Sequence, residues 1–240
     1  MPTGEPQRLP TQGKIGVSVD TSVGQELKKQ GVELKGVKAS IVVTLKDKNN
    51  NVVMQKEYPA NSFLLNFMRI LYAVLTVSSY NAKNMNGDSI TTMLCKTKKT
   101  VRYTVEYREI EYERILAGYQ AWALKEDDTH GILIGIGTKI VDAEDYALES
   151  KVPNGIGSGK MLYMSSEVGN VKVVGNDARL ELKRSFINHS GADITVTEVG
   201  LAIKQFCPED NILVIRDTIE PITVPNNYTL DVQYTIIISV

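Results

Sequence analysis

Ala178-Arg-Leu-Glu-Leu-Lys-Arg-Ser-Phe-Ile187, Asn188-His-Ser-Gly191 and Asp193-Ile-Thr-Val-Thr-Glu-Val-Gly-Leu-Ala-Ile-Lys204 read as a strand, a turn and a strand. Leu, Val, Ile and Thr recur in runs too short for helices, and Asn, Ser and Gly supply the backbone that a reversal needs. The unit repeats outward. Met161–Met164 and Asn170–Val174 precede it, and Asn211–Asp217, Pro221–Val224 and Thr229–Val240 follow, with turns at Gly175-Asn-Asp177, Pro208-Glu-Asp-Asn211 and Pro225-Asn-Asn227. Consecutive short strands without intervening helical periodicity make an antiparallel sandwich or barrel. The expected fold is mainly β: an antiparallel β-sandwich, jelly-roll-like, with one buried helix. The last strand, Tyr228–Val240, alternates and then becomes continuously apolar, which predicts cover on both faces at its end.

A chain of 240 residues suits one large β domain. Its 42% hydrophobic and 23% charged content are those of a globular protein. A net charge of −1 gives no basic footprint for nucleic acid or an anionic membrane, so neither is an expected partner. Cys95 and Cys207, far apart and without CxxC partners, make neither a zinc site nor a disulfide framework. The N-terminus lacks the charged and apolar regions of a signal peptide. The sequons at Asn188 and Asn227 fall in turns and read as chance matches.

Residues 1–13, with three prolines and two glycines, form an expected flexible arm that either frays or orders on a neighbouring subunit. The sandwich domain spans 14–240. Lys38–Leu45 and Val52–Tyr58 flank Asp47-Lys-Asn-Asn-Asn51 as a β-hairpin. A helix is predicted near 62–77, capped by Asn61 or Ser62. Between Phe63 and Val77 nearly every face is apolar, too short a stretch and too interrupted by Arg69 for a membrane span. It therefore packs across a sheet or between subunits, and Phe63, Phe67, Ile70, Leu71 and Val74 are its candidate interface residues.

Residues 80–99 read as a loop-rich insertion. Val101, Tyr103, Val105 and Tyr107 then alternate as a half-exposed strand, with a slip in period near Glu109. Glu106, Glu109, Glu111 and Glu113, interleaved with Arg108 and Arg114, read as a solvated face rather than acid/base chemistry. Trp122, the only tryptophan, reads as core; as a stacking platform it would work with Tyr119 in recognition.

Several motifs are imitations. Gly135-Ile-Gly137 lacks the third glycine of a dinucleotide fingerprint, although its glycines permit close backbone approach. In Gly155-Ile-Gly-Ser-Gly-Lys160, Asn154 and Met161 occupy positions where a phosphate loop needs Gly and Ser/Thr. Asp142, Glu144, Asp145 and Glu149 are dense enough for calcium but lack EF-hand spacing, so a capping turn is expected. His130 and His189 stand apart from cysteines and from each other, and support neither a metal site nor a catalytic relay. No catalytic, metal or cofactor residue is assigned, and a non-enzyme is expected.

Ala60-Asn-Ser-Phe-Leu-Leu-Asn-Phe67, Gly135-Ile-Gly-Thr138 leading to Glu144-Asp-Tyr-Ala-Leu-Glu149, Ser185–Gly191 leading to Ile194–Leu201, and Arg216-Asp217 leading to Thr223-Val-Pro225 together resemble β-rich structural proteins of tailed phages and related viruses. The resemblance covers most of the chain outside 1–35 and 80–130, through turn and strand signatures. It implies a virion component of the capsid-decorating, head-fibre or tail kind, made in the host cytoplasm. Such a component works as a homo-oligomer with copies of itself and other virion proteins. The alternative from the residues is a receptor- or glycan-binding β-sandwich adhesin module contacting its ligand through Tyr119, Trp122 and the 80–99 region.

Overall fold

The computed structural model describes residues 36–239 apart from 61, 77–79, 93–94, 102–109, 117 and 207–208. Along the chain run β1 (Gly36–Lys46), β2 (Val52–Ala60), α1 (Leu65–Thr76), β3 (Tyr80–Lys83), β4 (Ser89–Thr92), β5 (Cys95–Val101) and β6 (Ile110–Leu116). They are followed by β7 (Tyr119–Gln120), β8 (Gly131–Gly135), β9 (Leu162–Tyr163), β10 (Glu167–Val168), β11 (Lys172–Val174) and β12 (Asp177–Ile187). The long strands β13 (Ile194–Phe206), β14 (Glu209–Val224) and β15 (Thr229–Ser239) close the fold.

Strand parity builds the larger sheet. Its path is β10-β12-β15-β1-β2, with β9 and β11 also on β12. Residues directly opposite in an antiparallel pair point to the same face. Ile41 lies opposite Tyr234 and Tyr58, and Val43 opposite Val232 and Lys56. Tyr234 in turn faces Leu182, and Leu230 faces Phe186. Ile41, Val43, Phe186, Leu230, Val232 and Tyr234 are fully buried. The second sheet, β14-β13-β7 with β8 also on β13, brings Val196, Val199, Leu213 and Ile215 into the same apolar cluster. Two antiparallel sheets packed over one core are thus the expected sandwich; its strand paths are those just given, and the jelly-roll comparison extends no further.

The β1–β2 turn forms as expected. Asp47 Oδ1 accepts from the Asn49 and Asn51 N–H groups at 2.8 and 2.9 Å. Asn50 takes φ 64°, a left-handed conformation that asparagine tolerates. The two strands expected around Asp217 and Pro221 are instead one, β14. The register passes from Glu198↔Thr218 to Val196↔Ile222, so Ile219–Pro221 bulge opposite Thr197, where proline's missing donor costs no ladder bond. The 80–99 region, expected as loop, holds the β3–β4 hairpin and the start of β5, which pairs with β6. The expected alternation at 102–108 lies outside the described residues.

The helix begins at Leu65, three residues later than expected, because the edge of β14 offers unpaired groups. Phe63 bridges Ile215, the Leu64 N–H donates to the Val214 carbonyl at 3.0 Å, and the Ser62 carbonyl accepts from the Arg216 N–H at 3.3 Å. Ser62 is thus part of an extended segment rather than a cap, and Asn61 lies outside the described residues. Buried Asn66 ties α1 down: its Nδ2 donates to the Lys83 and Leu213 carbonyls at 3.0 and 3.3 Å. Among the described residues, no helix is long and apolar enough to cross a membrane.

Phe186 and Tyr163 meet edge to face at 4.7 Å in the core, both fully buried. Phe186→Ala should lower the unfolding free energy by about 3–5 kcal/mol, read from urea midpoints at constant slope.

Candidate interaction surface

Three buried polar hubs decide which side chains remain for outside contacts. Glu198 sits at 0% exposure in the middle of β13. Its Oε1 accepts from the Gly137 and Ser150 N–H groups at 3.1 and 2.8 Å. Its Oε2 accepts from the Glu149 N–H at 3.1 Å and from Arg216 Nε at 3.0 Å. Arg216, 1% exposed on β14, also donates to Asp145 Oδ2 at 2.7 Å and to the Lys139 carbonyl at 3.2 Å. Glu149 accepts from the Thr138 and Lys139 N–H groups, both at 2.6 Å. A buried carboxylate needs this many donors, because desolvation without them would expel the charge. The glycines make room: a Cβ at Gly135 or Gly137 would collide with Glu198 Oε1. Their expected close approach is therefore to this carboxylate.

The four acids 142–149 work as glue for the loop between β8 and β9. Asp142 Oδ1 accepts from the Glu144 N–H at 2.9 Å, Glu144 pairs with Arg69, and Asp145 Oδ2 accepts from the Asp142 N–H at 2.8 Å. Among the described residues no group of three His, Cys, Asp or Glu side chains could hold a metal ion. Burial pushes the Asp145 carboxyl up, but the Asp142 N–H, Lys139 and Arg216 outweigh it and hold it below the ordinary aspartate value.

Arg184, 1% exposed on β12, has no carboxylate in its hydrogen-bond set. It donates to the carbonyls of Met164, His130, Ile132, Leu124 and Asp127, and lies 4.8 Å from the centre of the Tyr163 ring. One guanidinium thereby closes the 121–131 and 161–166 segments onto the core. His130 is buried with Nε2 2.9 Å from the Trp122 carbonyl and Nδ1 3.3 Å from Asp127 Oδ2. Burial lowers its pKa against the opposing pull of Asp127.

Asn188, fully buried, joins the two turns at one end of the sandwich, its Nδ2 donating to the Ala192 and Val224 carbonyls at 2.8 and 2.7 Å. That occupied amide is no glycan acceptor in the folded chain. Asn227 is exposed.

None of these three hubs was assigned from sequence. A lone Glu in the apolar run around Val196–Leu201 and a lone Arg in Ile212–Ile219 were the available signals, and an inward-facing charge in each of two facing strands implies a pair.

One end of the larger sheet carries an exposed aliphatic row. Val173 lies opposite Ala178, Ala178 opposite Ile238, and Ile238 opposite Val37, one row across β11, β12, β15 and β1. By parity this row continues the core face of Ile41, Tyr234 and Leu182. It is nonetheless open, with Val173 at 76%, Ile238 at 45% and Val37 at 42% exposure. The end of β15, expected to be covered on both faces, is therefore open on the face that elsewhere meets the second sheet. Val168, opposite Leu182, extends the apolar area and is exposed. Solvent-facing aliphatic side chains in register across adjacent strands make this row a candidate interaction surface.

The sequence-assigned interface residues lie elsewhere. Ile70 is buried in the chain's own core. Phe63 and Phe67 are half-buried with ring centres 4.8 Å apart, and Leu71 is exposed. The side chain of Val74 lies outside the described residues. Tyr119 is half-buried on β7 opposite Gln205, whereas Trp122, expected in the core, is 42% exposed. The segment that carries Trp122 is anchored by its backbone carbonyl to His130, which leaves the indole free of the core. No family model, curated protein or solved structure matches the chain.

Either orientation of a glutamine amide at 198 would set an NH2 group against donors that now point at carboxylate oxygens. Glu198→Gln should therefore lower stability by about 3–5 kcal/mol in urea unfolding. A carboxyl held low in the fold contributes stability above its unfolded pKa, and that stability disappears as pH falls through the folded value. The wild-type urea midpoint should drop in acid below about pH 4, and Asp145→Asn should flatten that drop.

Proposed function

We propose that this chain is a non-enzymatic virion structural protein that assembles through subunit packing as part of a capsid or tail. The observation that carries the reading is the open aliphatic row of Val37, Ile238, Ala178 and Val173 on a core-type sheet face. Burying such a row against a neighbour contributes about 25 cal/mol per Å² and needs no reactive group. The charged hubs support the same reading, because their donors and acceptors face one another and hold loops rigid. A rigid frame with one open apolar end suits a protein that repeats in a symmetric assembly. The likeness of several turn and strand signatures to tailed-phage structural proteins supplies the setting.

Purified protein should sediment as a closed oligomer and give rings or tubes in electron micrographs. A monomer at high concentration that never enters a particle would end the proposal.

A second reading rests on exposed Trp122: a receptor- or glycan-binding sandwich that stacks a sugar on the indole. Glycan binding that Trp122→Ala abolishes, with oligomer mass unchanged, would favour that reading over assembly.

A further inference from the structure

The open row is about 14 Å long, three steps between adjacent strands at about 4.8 Å each. It ends at Val37, one residue after Gly36, where the described chain begins. The 35 residues before that point lie outside the described structure. Among them stands Ile15-Gly-Val-Ser-Val19, in which Ile15, Val17 and Val19 alternate with Gly16 and Ser18. In extended form this pentapeptide spans about 13 Å and puts its three aliphatic side chains on one side, with the two small residues opposite. Length and chemistry thus match the row.

We propose that the row is the seat of Ile15–Val19 delivered by a neighbouring copy of this chain, so that subunits are joined by exchanged N-terminal segments. The choice of the neighbour rests on the assembly reading above. The 16 residues from Asp20 to Lys35 reach about 50 Å when extended, enough to cross to another subunit. Three aliphatic side chains seated on four give a contact that is small for one pair of subunits and is multiplied around a closed ring. The match is steric and apolar, so a charge on either partner breaks it.

Two full-length variants test the exchange by sedimentation. Val17→Glu with Val19→Glu charges the segment, and Val173→Glu with Ile238→Glu charges the row, at positions whose exposure lets the fold tolerate the change. Each variant alone should be monomeric at concentrations tenfold above those at which the unsubstituted chain associates. An equimolar mixture keeps one intact segment and one intact row per pair, so it should go no further than a weak heterodimer and should not restore the oligomer of the unsubstituted chain. Hydrogen exchange on the unsubstituted chain gives a readout that needs no variant: amides 15–19 should gain protection as protein concentration rises.

A segment variant that associates like the unsubstituted chain overturns the proposal in favour of row meeting row. Monomers throughout, with protection of 15–19 independent of concentration, overturn it in favour of a seat for the same chain's segment. A row variant that associates like the unsubstituted chain overturns it in favour of another surface. Failure of the virion reading looks different: exchange persists in solution, yet the oligomer never enters a particle.

Discussion

A carboxylate at the centre of the second sheet governs much of this molecule. Glu198 has no contact with solvent, and its four hydrogen bonds join β13 to β14 through Arg216 and to the loop after β8 through three backbone donors. Each partner makes the other's burial tolerable, since either charge alone in the interior would cost several kcal/mol. The consequence is specificity of shape. With Glu198 fixed, Gly135 and Gly137 must remain without side chains, Asp145 is drawn to Arg216, and Glu149 receives the backbone of 138–139. An acid-rich loop that could have held a cation is instead folded inward around an arginine.

Arg184 does the corresponding work from the larger sheet by a different route. Its donors meet backbone carbonyls, which desolvates a cation against dipoles instead of a counter-charge. The two arginines, one from each sheet, bind the long connections to the sandwich and leave its faces to aliphatic contacts. At one end the larger sheet keeps core-face residues exposed, with no described sheet over them, and this opening gives the proposed assembly its surface.

Legibility in the sequence varied with the range of the forces involved. The β1–β2 hairpin, the long strands β12, β13 and β15 and the existence of α1 followed from local periodicity and turn chemistry. The start of α1 did not, because the edge of β14 captures residues 62–64, and neither did the continuity of β14 through Pro221, where a bulge opposite Thr197 absorbs the missing donor. Trp122 read as core because it lies in an apolar run; its exposure follows from the carbonyl contacts that anchor its backbone. Among candidate sites, Phe63, Phe67 and Ile70 were legible as apolar residues that pack across a sheet or between subunits, and the tertiary structure places Ile70 in the chain's own core with Phe63 and Phe67 packed against it.

The sequence by itself determined that alternating β-branched residues would form antiparallel sheets, where those sheets would turn, and that two glycines would mark a close approach, because these depend on neighbours a few residues away. Tertiary structure alone decided which acid would be buried, which arginine would meet it, and which end of the larger sheet would lie open. Those outcomes depend on register between strands far apart in the chain: Val173, Ala178, Ile238 and Val37 become one surface only when four strands are set side by side.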